Sequence, residues 1–244
     1  MKNRSIIFSL CACSLLAIFA FICLTFFNSA DANSIDSISM DIAIDNNGNA
    51  SVTEYWKCYA NQGSEIYHPY YNLGKSKITD LSVSENGTEY NVLSSWKTSG
   101  SLSDKAYKCG INNISNGVEL CWGISKYGSH NYIVKYNISN FVSELTDSQM
   151  IYWTLIPHNF SNSIGNAYIK IHTNFNIPDS VGVWGYGNYG GTAYVYDGYI
   201  EMQSSGSLSS SEYMTILVQF PSNTFNCSNK LNYDFNHYYN MAEE

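Results

Sequence analysis

Arginine is almost absent from this chain of 244 residues, because Arg4 is the only one. The formal net charge is −8 at pH 7, and only 13% of the residues are charged. Affinity for nucleic acid rests mainly on cationic contacts to phosphate, and bidentate recognition of guanine favours arginine. The composition therefore argues against nucleic acid and against anionic lipid surfaces as partners.

Catalytic and metal-binding motifs are missing as well. Neither H-E-x-x-H nor G-x-S-x-G occurs, and the Gly-rich run VWGYGNYGG precedes a strand pattern instead of a helix. The five histidines lack a carboxylate or cysteine at the spacing of metal ligands: His68, His130, His158, His172 and His237. We therefore expect no metal site, no cofactor and no catalytic constellation.

Only one apolar run is long enough to concern a membrane, and it lies at the N terminus. Lys2 and Arg4 precede the apolar residues 6–27, and Ala30-Asp31-Ala32 follows. This order predicts a secretory signal peptide cleaved after Ala32. Because ~20 apolar residues also span a bilayer, an uncleaved N-terminal membrane anchor over residues 1–32 is the alternative. Both alternatives predict export, with the rest of the protein either secreted or membrane-tethered outside the cytoplasm.

Four cysteines belong to the exported part. Cys109 and Cys121 flank the turn sequence ISNG, so they are candidates for a disulfide across a hairpin. Cys58 would then pair with Cys227 and tie the first hairpin to the C-terminal segment. Four buried thiols are the alternative, and the sequence leaves both open.

Strand periodicity dominates residues 33–221. Met40, Ile42 and Ile44 alternate with polar residues, the turn sequence NNGN follows, and alternation resumes at Val52. Similar strands separated by Asn-Gly or Asp-Gly turns recur about every ten residues, as in sandwiches and barrels. We predict one antiparallel β-sandwich over residues 33–221. Residues 139–150 are the only candidate for a helix, and an irregular crossover is the alternative for this segment.

Three segments are predicted to lie outside the regular strands. Residues 60–77 and 183–194 have loop-like compositions rich in Gly, Asn and Tyr. Residues 222–244 show no strong period, which predicts a partly ordered C-terminal tail.

Aromatic side chains in the loops are the best candidates for binding. A glycan or protein partner could contact a platform formed by Tyr70, Tyr71, Trp184 and Tyr189. The alternative is that tyrosine simply decorates the surface of an exported β protein of this composition.

A hydrolase would need two carboxylates facing each other across a cleft. The candidates are Glu54, Glu119, Asp147, Asp197 and Glu201. Glu54 is the most unusual, because it shares a strand face with Val52 and Trp56 and must be paired or neutral if that face is buried. A pairing with Lys or Tyr in the core is the interpretation we favour over catalysis.

Four segments resemble a known family: MDIAIDNNGNASVTEYWKCYA, ITDLSVSENGTEYNV, NYIVKYNISNFVSELTDSQMIYWTLIPHNF and LSSSEYMTILVQFP. Together they are similar to the N-terminal extracytoplasmic domain of the bacterial predicted membrane proteins called domain of unknown function 2207, or YciQ-like proteins. Val52-Thr53-Glu54 and residues 147–153 carry most of the resemblance. The resemblance implies a signal segment followed by a β domain, and it implies no established activity.

Two departures from the family pattern matter. Members have an Arg-containing step after the first hairpin, where this chain has IYHPYY, and members continue into transmembrane helices beyond the point where this chain ends. The leading functional hypothesis is a non-catalytic, exported cell-envelope module that binds a protein or glycan. The alternatives are a carboxylate-dependent glycan hydrolase that includes Glu54, and a structural stalk domain of a truncated membrane protein.

Overall fold

A computed structural model describes residues 32–158, 160 and 162–244. The predicted signal peptide or anchor therefore lies, except for Ala32, outside the described residues. Within the described part of the chain, no helix is both long and apolar enough to cross a membrane.

The described part contains sixteen strands and two short helices. In chain order they are β1 (Ser34–Ile44), β2 (Ala50–Ala60), β3 (Glu65–Tyr71), β4 (Ile78–Glu85), β5 (Thr88–Glu89), β6 (Asn91–Leu93), α1 (Leu102–Lys105), β7 (Lys108–Ile114), β8 (Gly117–Gly123), β9 (Gly128–Ile138), β10 (Ser143–Glu144), β11 (Gln149–Ile156), β12 (Ala167–Thr173), β13 (Gly182–Tyr186), β14 (Thr192–Tyr196), β15 (Tyr199–Gln203), β16 (Met214–Phe220) and α2 (Phe235–Glu243). The predicted all-β fold is confirmed.

The strands form three sheets. The large sheet has the order β14-β15-β12-β1-β2-β9-β4-β5, the second β10-β11-β16-β13, and the third β3-β8-β7-β6. Buried side chains from all three sheets belong to a single hydrophobic core cluster. Since apolar burial is the main driving force of folding, this shared core holds the three sheets together.

The first hairpin forms as its sequence predicts. Val52, Glu54 and Trp56 of β2 are buried, while the intervening residues are more exposed, as the two-residue period of a strand requires. In the turn, the Asp45 carboxylate accepts hydrogen bonds from the backbone N–H groups of Asn47, at 2.9 Å, and Asn49, at 2.8 Å. Local sequence is therefore sufficient to specify this hairpin.

Two strand pairs depart from the predicted antiparallel arrangement. β1 and β12 are parallel neighbours, as are β6 and β7. Parallel neighbours need a crossover connection, and about half of the domain separates β1 from β12 along the chain. An alternating pattern reports which face is buried but not the direction of a neighbouring strand, so the sequence could not reveal this pairing.

The segment predicted as a loop over residues 60–77 contains strand β3, so that prediction was wrong. His68, Pro69 and Tyr70 are buried in succession, which breaks the alternation by which a strand is recognised. Pro69 is tolerated because β3 is an edge strand that pairs only with β8.

Residues 183–194, also predicted as a loop, contribute to β13 and β14, which lie in different sheets. Residues 139–150 form a turn, bends, the two-residue strand β10 and the start of β11, with no helix. The alternative of an irregular crossover is therefore the one that the structure shows for this segment.

The C-terminal segment ends in α2, which packs on the second sheet. Asp147 Oδ1 accepts from the backbone N–H of Phe235, at 3.0 Å, and Asp234 caps the helix by accepting from His237 N, at 3.0 Å. Phe235 joins a second apolar cluster with Leu145, Met150 and Leu217. A nine-residue helix is marginal in isolation, so docking on the sheet supplies its stability.

Candidate functional site: an aromatic groove beside a buried charge network

A groove of about 960 Å³ lies along the second sheet. Its walls come from the end of β3 and the β3–β4 connection, from the segment between β9 and β11, from β11 and the residues that follow it, from the segment before β16, from the segment between β16 and α2, and from α2. The aromatic lining side chains are Tyr71, Tyr152, Trp153, His158, Tyr213 and Tyr238. The groove thus gathers rings from four separate parts of the chain.

Packing fixes the orientation of several of these rings. Trp153 stacks on Phe141 with ring centroids 5.4 Å apart, and its indole N–H donates to the Phe141 carbonyl at 2.9 Å. Tyr152 meets Tyr238 edge to face, with centroids 6.5 Å apart. Because α2 carries Tyr238, docking of the C-terminal helix completes one wall of the groove.

The polar lining consists of amides and hydroxyls. Asn72, Asn140 and Asn229 contribute amides, and Lys75 is the only Lys, Asp or Glu among the described lining residues. This composition contrasts with the formal charge of −8 of the whole protein. The groove therefore offers aromatic faces and neutral hydrogen-bonding groups with little fixed charge.

Asn229 is held rigidly at the groove. The residue is only 9% exposed, and its Nδ2 donates to Ser143 Oγ at 2.9 Å, whereas Oδ1 has no hydrogen-bond partner. The opposite assignment of the amide atoms would leave Nδ2 unpaired instead. One polar atom of this amide is thus buried without a partner in either assignment, which costs about 1–3 kcal/mol.

The four aromatic residues predicted as a platform are not gathered on one face. Tyr71 lines the groove, but Tyr70 points into the core because adjacent residues of a strand face opposite sides. Trp184 packs under α2, with its ring 5.3 Å from that of Phe235. Tyr189 is 98% exposed in the loop between β13 and β14.

Sequence reasoning missed the other groove aromatics. Tyr152 and Trp153 lie in residues 147–153 and were noted only for the family resemblance, and Tyr238 lies in the segment taken for a partly ordered tail. The only indication in the sequence was the aromatic-rich run NHYYNM, which lies within α2 and contains Tyr238.

The four cysteines in the described part of the chain are free thiols. Cys109 lies opposite Trp122, and Cys121 lies opposite Gly110. This one-residue offset puts the two sulfur atoms on opposite faces of the hairpin, so the predicted Cys109–Cys121 bridge is not formed. Cys58 and Cys227, the second predicted pair, are likewise unbridged.

Next to the groove, Glu54 is the centre of a buried polar network. The residue is 0% exposed. Its Oε2 accepts from Trp56 Nε1 at 2.6 Å, its Oε1 accepts from the Tyr136 hydroxyl, and His68 Nδ1 lies 2.9 Å from Oε1. The expected pairing of Glu54 is thus confirmed for tyrosine, but histidine takes the place foreseen for lysine.

His68 connects this network to the second sheet. Its Nε2 lies 3.0 Å from the carbonyl oxygen of Leu155. The pairing of β11 with β16 shifts register between Thr154 and Ile156, so Leu155 sits at a bulge outside the regular ladder. Glu54 lies in the large sheet, His68 in the third and Leu155 in the second. The network therefore joins all three sheets.

Protonation in this network follows from its geometry. Burial opposes ionisation of Glu54, but the positive charge of His68 and hydrogen bonds from His68, Tyr136 and Trp56 outweigh it and lower the pKa of the carboxyl. Burial and the negative charge of Glu54 raise the pKa of Tyr136 well above its ordinary value. The ionised Glu54 carboxylate thus faces only hydrogen-bond donors, and each of its two oxygens accepts at least one hydrogen bond.

A second buried carboxylate–histidine pair lies in the large sheet. His130 Nδ1 is 2.6 Å from Glu85 Oε1, and the Tyr90 hydroxyl donates to Oε2 at 2.8 Å. Burial tends to raise the pKa of Glu85, but hydrogen bonds from His130, Ser125 and Tyr90 outweigh burial and bring the pKa below its ordinary value. Both pairs are buried, and each joins two strands in the interior of the domain.

The other carboxylates considered for hydrolysis are engaged separately. Asn112 Nδ2 donates to Glu119 at 2.7 Å, and Glu201 accepts from the hydroxyls of Tyr168 and Tyr194. Asp147 anchors α2, and Asp197 occupies a turn with φ +46°. Among the described residues, no group of three His, Cys, Asp or Glu side chains is arranged to hold a metal ion.

The fold and sequence pattern agree with one family. The family described as "Predicted membrane protein (DUF2207) N-terminal domain" matches residues 34–220. The chain belongs to this family. The match to this DUF2207 N-terminal domain confirms the resemblance seen in the sequence, and it covers every described strand from β1 to β16. No curated protein matches the chain.

Solved structures show only a distant likeness to the DUF2207 domain. Yeast leukotriene A4 hydrolase with bestatin has 8% identity and a TM-score of 0.49, covering 78% of this chain and 29% of that chain. The M1 zinc metallopeptidase from Deinococcus radiodurans has 11% identity and a TM-score of 0.40, covering 76% and 42%.

An aminopeptidase N family protein from Idiomarina loihiensis has 14% identity and a TM-score of 0.41, covering 74% and 29%. The chain thus spans less than half the length of these proteins. Likeness at this level carries no argument about activity.

Proposed function

We propose that this DUF2207 domain is a non-catalytic, extracytoplasmic binding module of the cell envelope, and that the aromatic groove is its partner site. The main observation behind the proposal is the groove itself. It has a volume of about 960 Å³ and is lined by six aromatic residues and three amides. Clefts that combine apolar walls with a few fixed polar groups are the usual form of binding sites. Membership of a membrane protein family and the signal-like leader support a position at the envelope.

The burial of Glu54 favours binding over hydrolysis. A carboxylate with no exposed surface, and with hydrogen bonds from Trp56 and Tyr136, has no access to a polysaccharide. Its role in joining the three sheets explains its presence on the buried face of β2. A structural stalk without a binding role would need no groove with exposed rings such as Tyr71 and Tyr213.

Retention on isolated cell envelopes tests this proposal. Residues 33–244 suit the experiment because Asn33–Glu244 forms one compact unit. We expect the wild-type domain to sediment with envelope fragments of the producing organism. Tyr152→Ala should release it, since this ring lies inside the groove.

Tyr189→Ala is the matched control, because this ring is 98% exposed and lies outside the groove. Equal retention of the two variants would overturn the assignment of the groove. Absence of any retention of the wild-type domain would favour the stalk.

A further inference from the structure

The groove keeps carboxylates away from its ligand. The protein has 20 Asp and Glu residues, yet none occurs among the described residues that line the groove. Recognition of a cationic peptide would need carboxylates in the lining. Recognition of an anionic ligand would need several cationic groups, whereas the described lining has a single lysine, Lys75. The charge of the groove therefore matches an uncharged ligand.

The polar groups of the groove separate two kinds of uncharged ligand. An acyl chain or an apolar helix would require a lining nearly free of polar groups, because each polar group buried without a partner is costly. Three amides and the hydroxyl groups of Ser76, Ser143 and Thr154 line this groove between the rings. Amides and hydroxyls placed among flat aromatic faces complement a molecule with apolar faces and many hydroxyl groups.

Resting on the proposed function, we propose that the ligand of this groove is a neutral carbohydrate chain. The C–H faces of sugar rings stack on Tyr152, Tyr213 and Tyr238, and ring stacking of this kind needs no charge on the ligand. Sugar hydroxyl or acetamido groups form hydrogen bonds with the amides and hydroxyls that line the groove between the rings. Trp153, fixed against Phe141, forms part of the same wall.

Titration calorimetry with neutral oligosaccharides of glucose, of N-acetylglucosamine and of mannose tests the inference on residues 33–244. We expect at least one to bind and to change the tryptophan fluorescence, because Trp153 lies in the groove. Tyr152→Ala should weaken binding about tenfold through loss of ring contact.

Tyr152→Phe keeps the ring and should bind nearly as wild type. Tyr189→Ala, outside the groove, should bind as wild type. Circular dichroism of each variant checks that a loss of binding does not come from unfolding.

The outcomes separate this inference from the proposed function. If none of the oligosaccharides binds while Tyr152→Ala still abolishes retention on envelopes, the carbohydrate assignment is overturned and the groove remains a site for another ligand, such as a protein. If oligosaccharide binding is insensitive to Tyr152→Ala, sugars bind elsewhere and the inference fails. If retention on envelopes is also insensitive to Tyr152→Ala, the proposed function fails with it.

Discussion

Replacing Glu54 by leucine should strongly destabilise the domain. The substitution removes the acceptor of three buried groups: Trp56 Nε1, the Tyr136 hydroxyl and His68 Nδ1. Tyr136 and Tyr70, whose hydroxyls lie 2.6 Å apart, can still share one hydrogen bond, but one of their two hydroxyl protons then lacks an acceptor. Among the described residues, no acceptor other than Glu54 lies within hydrogen-bond distance of Trp56 Nε1 or His68 Nδ1. Each unpaired buried group costs about 1–3 kcal/mol, and breaking a buried ion pair costs about 3–5 kcal/mol. We expect Glu54→Leu to lower the free energy of unfolding by about 3–5 kcal/mol. This is a large part of a typical domain stability of about 5–15 kcal/mol.

Glutamine at the same position should cost less. Its oxygen can accept from Trp56, while its amide N–H groups donate to Tyr136 and to Nδ1 of a neutral His68, which still donates through Nε2 to Leu155. We therefore expect Glu54→Gln to lose about 1 kcal/mol, the value of an ordinary hydrogen-bond change. Urea denaturation followed by tryptophan fluorescence measures both variants.

The matched control is the carboxylate–histidine pair at the surface of the same sheet. Asp41 Oδ1 and His172 Nε2 are also 2.9 Å apart, but the side chains are 47% and 37% exposed. Asp41→Leu should change stability by less than about 1 kcal/mol, because solvent screens exposed pairs. Similar losses of unfolding free energy for Glu54→Leu and Asp41→Leu would show that burial does not set the strength of these pairs.

Four further predictions concern pH, the C-terminal helix, the thiols and the leader. The pKa of Glu54 is lowered in the folded protein, so its ionisation stabilises the fold above pH 4.5, the ordinary pKa, and this contribution is lost as pH falls through the folded pKa. In acid denaturation monitored by circular dichroism, the stability of Glu54→Gln should therefore fall less steeply with pH than that of wild type. Phe235→Ala should undock α2 and lower the free energy of unfolding by about 3 kcal/mol, and unchanged protease sensitivity of the C-terminal segment would contradict this. Burial raises the pKa of Cys109 to about 11, so thiol reagents should label it slowly without denaturant, and peptide mapping that recovers a Cys109–Cys121 bridge would refute the register. Mass spectrometry of the exported protein should find an N terminus at Asn33 if the leader is cleaved, or an intact Met1 in the membrane fraction if it is an anchor; a cytosolic product would refute both.

Local patterns were sufficient for most strands of this domain. β2 and β9 alternate over eleven residues each, and an alternating strand with one apolar face has one stable orientation against a core. β3 was missed because His68, Pro69 and Tyr70 are all buried, and such a run has no period. Its identity depends on pairing with β8, which begins more than forty residues later.

The network around Glu54 shows where local reasoning ends. Its position between Val52 and Trp56 on the buried face required a partner, and this was visible in the sequence. The partner is His68, which lies in a segment taken for a loop. No pattern links the two, because their contact depends on how the third sheet packs against the large one.

The sequence by itself determined the low charge, the β class and the buried face of each alternating strand, because these depend on composition and on neighbours within a few residues. Only the tertiary structure decided the groove. Tyr71, Tyr152, Tyr213 and Tyr238 are separated by up to 167 positions and lie in different elements, and each has an ordinary local context. They meet because one sheet stacks on another and α2 docks beside them, and such contacts are set by the packing of the whole core.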